Sequence, residues 1–351
     1  MASWKVKRAP AFLAAVLAGL VLYLSACNGD KPTGPPQPKD YVVYFDDSGN
    51  PGWIYAYHVG SDLLDSFQVA VGSLRGLTVS ADGKKLYLAL QDSCFMLEIG
   101  NPQNLTKLPY DAGGGIAVSP DNRLVAIQGN DLYVLSTSDY SVVFHDTDQT
   151  YWGTFSYDSR TFYGSRYRDY VYRVEVKGSK PPVRRQFTDF VFTWVRPSPN
   201  EHYWYIYAGW GLCHMAVQLF DVGADSVVFS YHFEPGNGQL ELTPDGQRLF
   251  FTYPDMTISY CWPPSTSLSV LNTGSRAVEH VNIIVDSLYG TQPSLLYLSH
   301  IEITPDGRFL VGIDRDIAML VLVDVETLQV IRHRRIGDPK EPSGFTCQKA
   351  L

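Results

Sequence analysis

Six short turns of one design punctuate this chain, each set between two apolar runs. They are Ser80-Ala81-Asp82-Gly83, Ser119-Pro120-Asp121-Asn122, Ser156-Tyr157-Asp158-Ser159, Ser198-Pro199-Asn200-Glu201, Thr243-Pro244-Asp245-Gly246 and Thr304-Pro305-Asp306-Gly307. Self-similarity of this kind constrains architecture strongly, because each repeat is one supersecondary unit that can bury its faces only against its neighbours. Within the unit, strand A ends at the Ser/Thr. Pro pre-sets φ for the reversal, and Asp and Gly tolerate the turn. Strand B follows, as in Lys85 to Leu90, then strand C, as in Leu132 to Leu135, and strand D, as in Ser141 to Val143. The third-position residues of the turns are 39, 37, 42, 45 and 61 residues apart. Four antiparallel strands at that spacing make one blade of a β-propeller. The longest interval holds an insertion across Tyr253 to Pro264 and about Ile283 to Leu298.

Six turns begin six blades. Residues 41–70 add three strands with no strand A: Tyr41–Phe45, Trp53–Tyr57 and Asp65–Val69. The C-terminal Gly344-Phe345-Thr346-Cys347 matches Gly76-Leu77-Thr78-Val79 and Gly115-Ile116-Ala117-Val118, and supplies the missing strand. The expectation is therefore an all-β, seven-bladed β-propeller over 41–351, with its N- and C-terminal strands in one blade. Closure of that kind hides sheet edges that would otherwise recruit other chains. The 23 tyrosines and the Val- and Phe-rich extended runs agree with strands. After residue 26 no long apolar stripe has helical spacing.

The Ser-Pro-Asp-Gly turns, with Val323-Asp324-Val325-Glu326-Thr327-Leu328-Gln329-Val330, Leu219-Phe220-Asp221-Val222 and Val270-Leu271-Asn272-Thr273, resemble the YVTN/WD40-like propellers of exported bacterial proteins. The likeness implies architecture over 41–351 and leaves function open, since propellers host both binding and catalysis. The turn with Tyr157 and Ser159 in place of Pro and Gly departs most from the pattern.

Residues 1–26 carry Lys5, Lys7 and Arg8 and no acid, then a 14-residue apolar run from Ala11 to Leu24, then Leu24-Ser25-Ala26 before Cys27. The run is short for a membrane span, and the plan is that of a secretory signal. With Cys27 after two small residues, the segment resembles a bacterial lipoprotein signal with its lipobox. That resemblance implies cleavage before Cys27, diacylglycerol on its thiol (hence lipidation, with palmitate) and a membrane anchor. Residues 27–40 form the lipidated Cys and a Pro-rich tether, which as polyproline II at ~3.1 Å per residue spans on the order of 40 Å. Asn28 slightly favours the outer over the inner membrane by the sorting rule of that family, and the signal itself implies a propeller outside the cytoplasm.

The formal net charge of −8 becomes −11 without residues 1–26. An acidic body argues against nucleic acid, which needs clustered Lys and Arg to displace counterions. The basic runs Arg184-Arg185 and Arg332-His333-Arg334-Arg335 read as strand decoration. Cys94, Cys213, Cys261 and Cys347 lack zinc or haem spacing. Cys213 and Cys261 occupy comparable places in neighbouring repeats, where a bridge or two buried thiols would fit. The acids at Asp46, Asp47 and Asp314-Arg315-Asp316 lack the spacing of an EF-hand.

Aligning the turns and the C-terminal strand gives two columns on the innermost strands. Two residues before the Ser/Thr stand Thr346, Thr78, Ala117, Thr154, Arg196, Glu241 and Glu302; four before stand Gly344, Gly76, Gly115, Trp152, Trp194, Gln239 and His300. One side of the ring offers small residues. The other offers Trp152, Trp194, Arg196, Gln239, Glu241, His300 and Glu302, with Arg75, Tyr151 and Trp210 in nearby loops. That sector of the channel mouth is the candidate binding site. Equally, the charged residues could form an ion-pair network and the tryptophans fill gaps between blades. No Gly-x-Ser-x-Gly elbow, phosphate loop or His-Glu-x-x-His is present, so no catalytic residue, metal ligand or cofactor is assigned.

Two function classes follow. The first is a membrane-tethered binding or scaffold module for an envelope protein or small ligand, with Tyr253, Met256, Tyr260 and Trp262 of the insertion facing the partner. The second is a periplasmic propeller enzyme, lactonase-like or dehydrogenase-like, working at the channel mouth. Carbohydrate recognition through the Trp and Tyr residues is a third reading.

Overall fold

Strand propensity and turn chemistry produce the expected ring. The computed structural model describes residues 40–46, 52–69, 72, 74–111, 113–147, 149–150, 152–165, 170–178, 180–186, 192–209, 215–233, 239–252, 267–285, 294–314, 318–336 and 347–349. Among them there is no helix, and seven four-stranded antiparallel sheets form the blades of a seven-bladed propeller. Blade II runs outward from Gly76–Val79 through Lys85–Ala89 and Cys94–Glu98 to Asn101–Lys107. Blades III (116–146), IV (152–186), V (192–233), VI (240–281) and VII (300–335) repeat that order. Blade I consists of Val42–Asp46, Trp53–His58 and Leu63–Gln68, with Cys347–Lys349 as its innermost strand. Each innermost strand touches the next, and Cys347–Lys349 touches both His300–Ile303 and Gly76–Val79, so the ring closes.

Seven apolar layers hold the blades together, one per boundary. Leu77, Val79 and Leu86 meet Tyr44 and Ile54 between blades I and II, and Ile301, Ile303 and Val321 meet Phe250 and Val270 between VI and VII. Both faces of an inner strand are covered, so Gly76–Val79 and Leu124–Gln128 are buried at every position. The outermost strands face solvent, and Val183–Gln186 is exposed throughout. Cys94 is buried between blades II and III, while Cys213 and Cys261 lie outside the described residues.

All six turns share one hydrogen-bond scheme. The hydroxyl donates to Oδ1 two residues on, from Ser80 to Asp82 at 2.7 Å, Ser119 to Asp121 at 2.6 Å, Ser156 to Asp158 at 2.6 Å, Ser198 to Asn200 at 2.7 Å, Thr243 to Asp245 at 2.6 Å and Thr304 to Asp306 at 2.7 Å. The same hydroxyl oxygen accepts the amide five residues on, as Ser156 does from Thr161 at 3.0 Å. The fourth residue has positive φ in every turn: Gly83, Asn122, Ser159, Glu201, Gly246 and Gly307. The irregular turn at Tyr157 and Ser159 is therefore the same turn, with a serine held left-handed at φ 63°. Neighbours explain the choice. A Cβ on Gly246 would stand 2.8 Å from Pro199 Cδ of the preceding turn. Elsewhere the fourth residue bonds back to the preceding turn: Asn122 Oδ1 accepts the amide of Ala81 and Ser159 Oγ that of Asp121.

One bond recurs in all seven blades and fixes their equivalence. The amide that ends strand C donates to the carbonyl just before strand B: Val59 to Tyr41, Ile99 to Lys84, Thr137 to Arg123, Val176 to Arg160, Val222 to His202, Thr273 to Gln247 and Val325 to Arg308. On that scale Tyr44 of blade I corresponds to Tyr87 of blade II. Tyr87 pairs with Thr78, whereas Tyr44 pairs with Gln348. The C-terminal strand thus sits two residues further along than its Gly-Phe-Thr-Cys match implies, and Gln348 takes the column position given to Thr346. A slip of two leaves every side chain on its original face, so the apolar pattern cannot register it.

Residues 253–266 of the insertion lie outside the described residues. Its later part forms a two-stranded sheet, Ile284–Val285 with Ser294–Leu295, and Ile283, Val285, Leu296 and Leu298 pack into the layer between blades VI and VII. Asp314 Oδ2 accepts the amide of Tyr297 at 2.7 Å, tying this segment to blade VII. The basic run Arg332 to Arg335 is an outer strand whose Arg332 and Arg334 donate to backbone carbonyls of blade I.

Candidate functional site

The ruler set by the turns places the column two residues before each Ser/Thr in a common register. Thr78 pairs with Tyr87, Ala117 with Ala126, Thr154 with Tyr163, Arg196 with Tyr205, Glu241 with Phe250 and Glu302 with Val311. An inner strand presents its edge to the channel and its faces to the neighbouring blades. These side chains therefore do not project straight at the axis; they lean along the ring toward the next blade. That geometry makes pairs across blade boundaries.

Arg196 of blade V donates from Nη2 to Glu241 Oε1 of blade VI at 2.7 Å. Their side chains are 26% and 10% exposed, so the pair is largely withdrawn from water. Burial pulls the Arg196 guanidinium down; the charge and hydrogen bond of Glu241, then Glu302 and Tyr157, outweigh it and hold it above its ordinary value. Glu302 of blade VII is itself buried. Glu241 is thus the bonded counter-charge, and the charge of Glu302 adds to it from a greater distance, as charged groups must be compensated when buried.

Tyr157 completes the group and was not a candidate in the sequence. It belongs to the turn of blade IV and is 44% exposed. Its phenol is pushed up to about 12, by burial first and then by Glu241, with Arg196 opposing. The available signal was an aromatic residue where the other turns carry Pro or Ala.

At the opposite ends of the inner strands, Trp152 of blade IV stacks on Trp194 of blade V, with ring centroids 5.6 Å apart and planes 21° apart. Both are half-buried. Gln239 Oε1 accepts the amide of Ile301 at 3.1 Å, which stitches blade VI to blade VII. His300 Nδ1 lies 3.1 Å from Ser299 Oγ, and the ring is half-buried. Arg75 stands apart: it is exposed, and its guanidinium lies 3.5 Å from Gln91 within its own blade. Tyr151 and Trp210, like Cys27, lie outside the described residues.

The small residues on the other side have a packing cause. A Cβ on Gly76 would stand 3.4 Å from both Gly115 Cα and the Ile116 amide nitrogen, so blades II and III approach backbone to backbone. The asymmetry of the ring therefore places bulk and charge in blades IV to VII. That sector offers a flat aromatic step for stacking and a polar group of mixed charge. Among the described residues, no three His, Cys, Asp or Glu stand together as a metal centre would require, and no helix is long and apolar enough to cross a membrane.

The sequence matches no family model and no curated protein. Solved structures share the ring. Hydrazine synthase of Kuenenia stuttgartiensis aligns with a TM-score of 0.57 at 16% identity, over 77% of this chain and 81% of its own. The dihydro-heme d1 dehydrogenase NirN in complex with DHE aligns with a TM-score of 0.55 at 16% identity, over 91% and 78%. The Swd1 β-propeller domain of Myceliophteria thermophila Cps50 aligns with a TM-score of 0.55 at 13% identity, over 76% and 87%. Identities this low establish a common fold. A synthase, a dehydrogenase and the Swd1 propeller domain stand side by side in that comparison, so the fold leaves the activity to be argued from the site.

Proposed function

We propose that this chain is an extracytoplasmic binding module, tethered to a bacterial envelope membrane through lipidated Cys27, that receives a ligand or envelope partner at blades IV to VII of its channel. The lipobox-like segment and the Pro-rich tether support the anchoring. The observation that carries the binding reading is the Trp152–Trp194 stack, two half-buried indoles lying nearly parallel across a blade boundary. Rigid aromatic surface beside polar anchors is what recognition sites use, because it supplies contact area at little entropic cost.

Two measurements test it. Metabolic labelling with radioactive palmitate marks the wild-type chain and is lost in Cys27→Ala; label retained in the variant removes the anchor. Fractionated envelope extract added to the purified full chain quenches indole fluorescence and raises the melting temperature. Both responses disappear in Trp152→Ala and Trp194→Ala, with folding checked by circular dichroism. Responses that survive both substitutions place the site elsewhere. Turnover of a bound ligand that vanishes in Glu302→Gln favours the propeller-enzyme reading instead.

A further inference from the structure

Three consecutive blade boundaries can be compared residue for residue on the face that carries the turns. At the VI/VII boundary, Arg248 at the start of its strand directs Nη1 to the carbonyl oxygens of Val325 and Glu326, the latter at 3.3 Å. At the VII/I boundary, Arg332 of an outer strand directs Nη1 to the carbonyl oxygens of Val59 and Gly60, at 2.9 and 3.4 Å. Val325 and Val59 are equivalent, since each gives its amide to the carbonyl that precedes strand B. Two arginines from different strands thus converge on the same pair of carbonyls of the next blade. The end of strand C, where the chain turns, leaves these acceptors in place for a planar, multiply donating cation.

At the V/VI boundary the corresponding carbonyls belong to Thr273 and Gly274, and the residue in the place of Arg248 is Tyr203. A cleft of about 470 Å³ opens there, lined among others by Tyr203, Tyr205, Asp245, Thr273, Gly274 and Arg276. That is the size of a small-ligand pocket. Arg276 is exposed and turns Nη1 back to the Val228 carbonyl of blade V at 3.0 Å. Thr243 and the Gln247 amide hold the Asp245 carboxyl below its usual range against the effect of burial, which keeps a negative charge at the wall.

We propose that the V/VI cleft is a docking pocket for an arginine side chain of a partner polypeptide. The guanidinium donates to the Thr273 and Gly274 carbonyls, as Arg248 and Arg332 do to theirs, and lies beside the Tyr203 ring with Asp245 as its counter-charge. The pocket is on the turn face, away from the Trp152–Trp194 stack, so it stands or falls separately from the channel reading.

The test is calorimetric titration of the purified full chain with N-acetyl-arginine amide and, in parallel, N-acetyl-lysine amide. The arginine probe is expected to bind roughly tenfold more tightly than the lysine probe, because only the guanidinium matches both acceptors. Tyr203→Arg restores an internal guanidinium and is expected to weaken the probe at least about tenfold. Should that variant fail to fold, Gly274→Phe obstructs the same cleft; a Cβ there meets nothing nearer than Asn272 Oδ1 at 3.6 Å. Arg276→Gln removes a like charge and is expected to tighten binding about two- to threefold. No heat with the arginine probe, equal affinity for lysine, or binding unchanged in the occluded variants overturns the proposal.

Discussion

Arg196 and Glu241 hold each other across a blade boundary, at 2.7 Å and largely withdrawn from water. Removing one leaves a buried charge unanswered, a loss of ~3–5 kcal/mol for fully buried pairs. The 26% exposure of Arg196 lowers that, so Arg196→Met is expected to cost about 2–3 kcal/mol in urea denaturation. The double variant Arg196→Met with Glu241→Leu is expected to recover part of the loss, since the bonded pair goes together while buried Glu302 stays behind. Additive losses would show that the two residues act separately. Gly246 carries a second prediction. Its φ of +72° and its contact with Pro199 leave no room for a side chain, so Gly246→Ala is expected to lower stability by about 1–3 kcal/mol, read from the denaturation midpoint. The positions of the charged and aromatic residues of the candidate site were legible because strand period and turn spacing together assign side chains to a face. Tyr157 was not, since nothing local says that a turn residue will feel the charges of the next two blades. Arg75 lies near the right end of its strand but in a blade whose neighbours are small, so nothing there draws it into the cluster.

The turn is the element that sequence and structure describe in the same terms. Four of its aspartates, Asp82, Asp121, Asp158 and Asp245, are held below the usual carboxylate range, as accepted hydrogen bonds favour the charged form. Asp82 and Asp158 are lowered chiefly by the Ser80 and Ser156 hydroxyls; at Asp121 and Asp245 burial opposes, and the hydrogen bonds outweigh it. A carboxyl lowered in the folded state contributes stability that is complete above its unfolded value and is lost as pH falls through the folded one. Urea midpoints are therefore expected to hold from pH 7 to about 5 and to fall steeply toward pH 3. Asn200 shows that an amide oxygen makes the same bonds without titrating. Asn at positions 82, 121, 158 and 245 together is accordingly expected to flatten the acid limb; an unchanged pH profile in that variant would exclude the turns as its source. The register of the C-terminal strand was the one element misread. Four residues of similarity carry no turn to anchor them, and only main-chain pairing with Val43 to Phe45 fixes the position.

For the molecule as a whole, the ring is a long chain closed by a very short strand. Phe45 pairs with Cys347, so closing the ring joins residues some three hundred apart against loop-closure entropy. Six blades are hairpin-linked sheets that assemble from local contacts. Blade I alone depends on both ends of the sequence, and its inner strand also touches the inner strands of blades II and VII. Deleting residues 347–351 removes that contact and exposes the main-chain edge of Val42–Asp46, a strand of high β-propensity with unpaired donors and acceptors. The truncated chain is expected to melt several degrees lower than the intact one and to associate as concentration rises, measured by calorimetry and by light scattering after gel filtration. A synthetic peptide spanning 344–351 is expected to restore the monomer by adding the missing strand in trans. Were the truncated chain to stay monomeric at an unchanged melting temperature, the seven apolar layers alone would hold the ring, and the terminal strand would serve only to cover an edge.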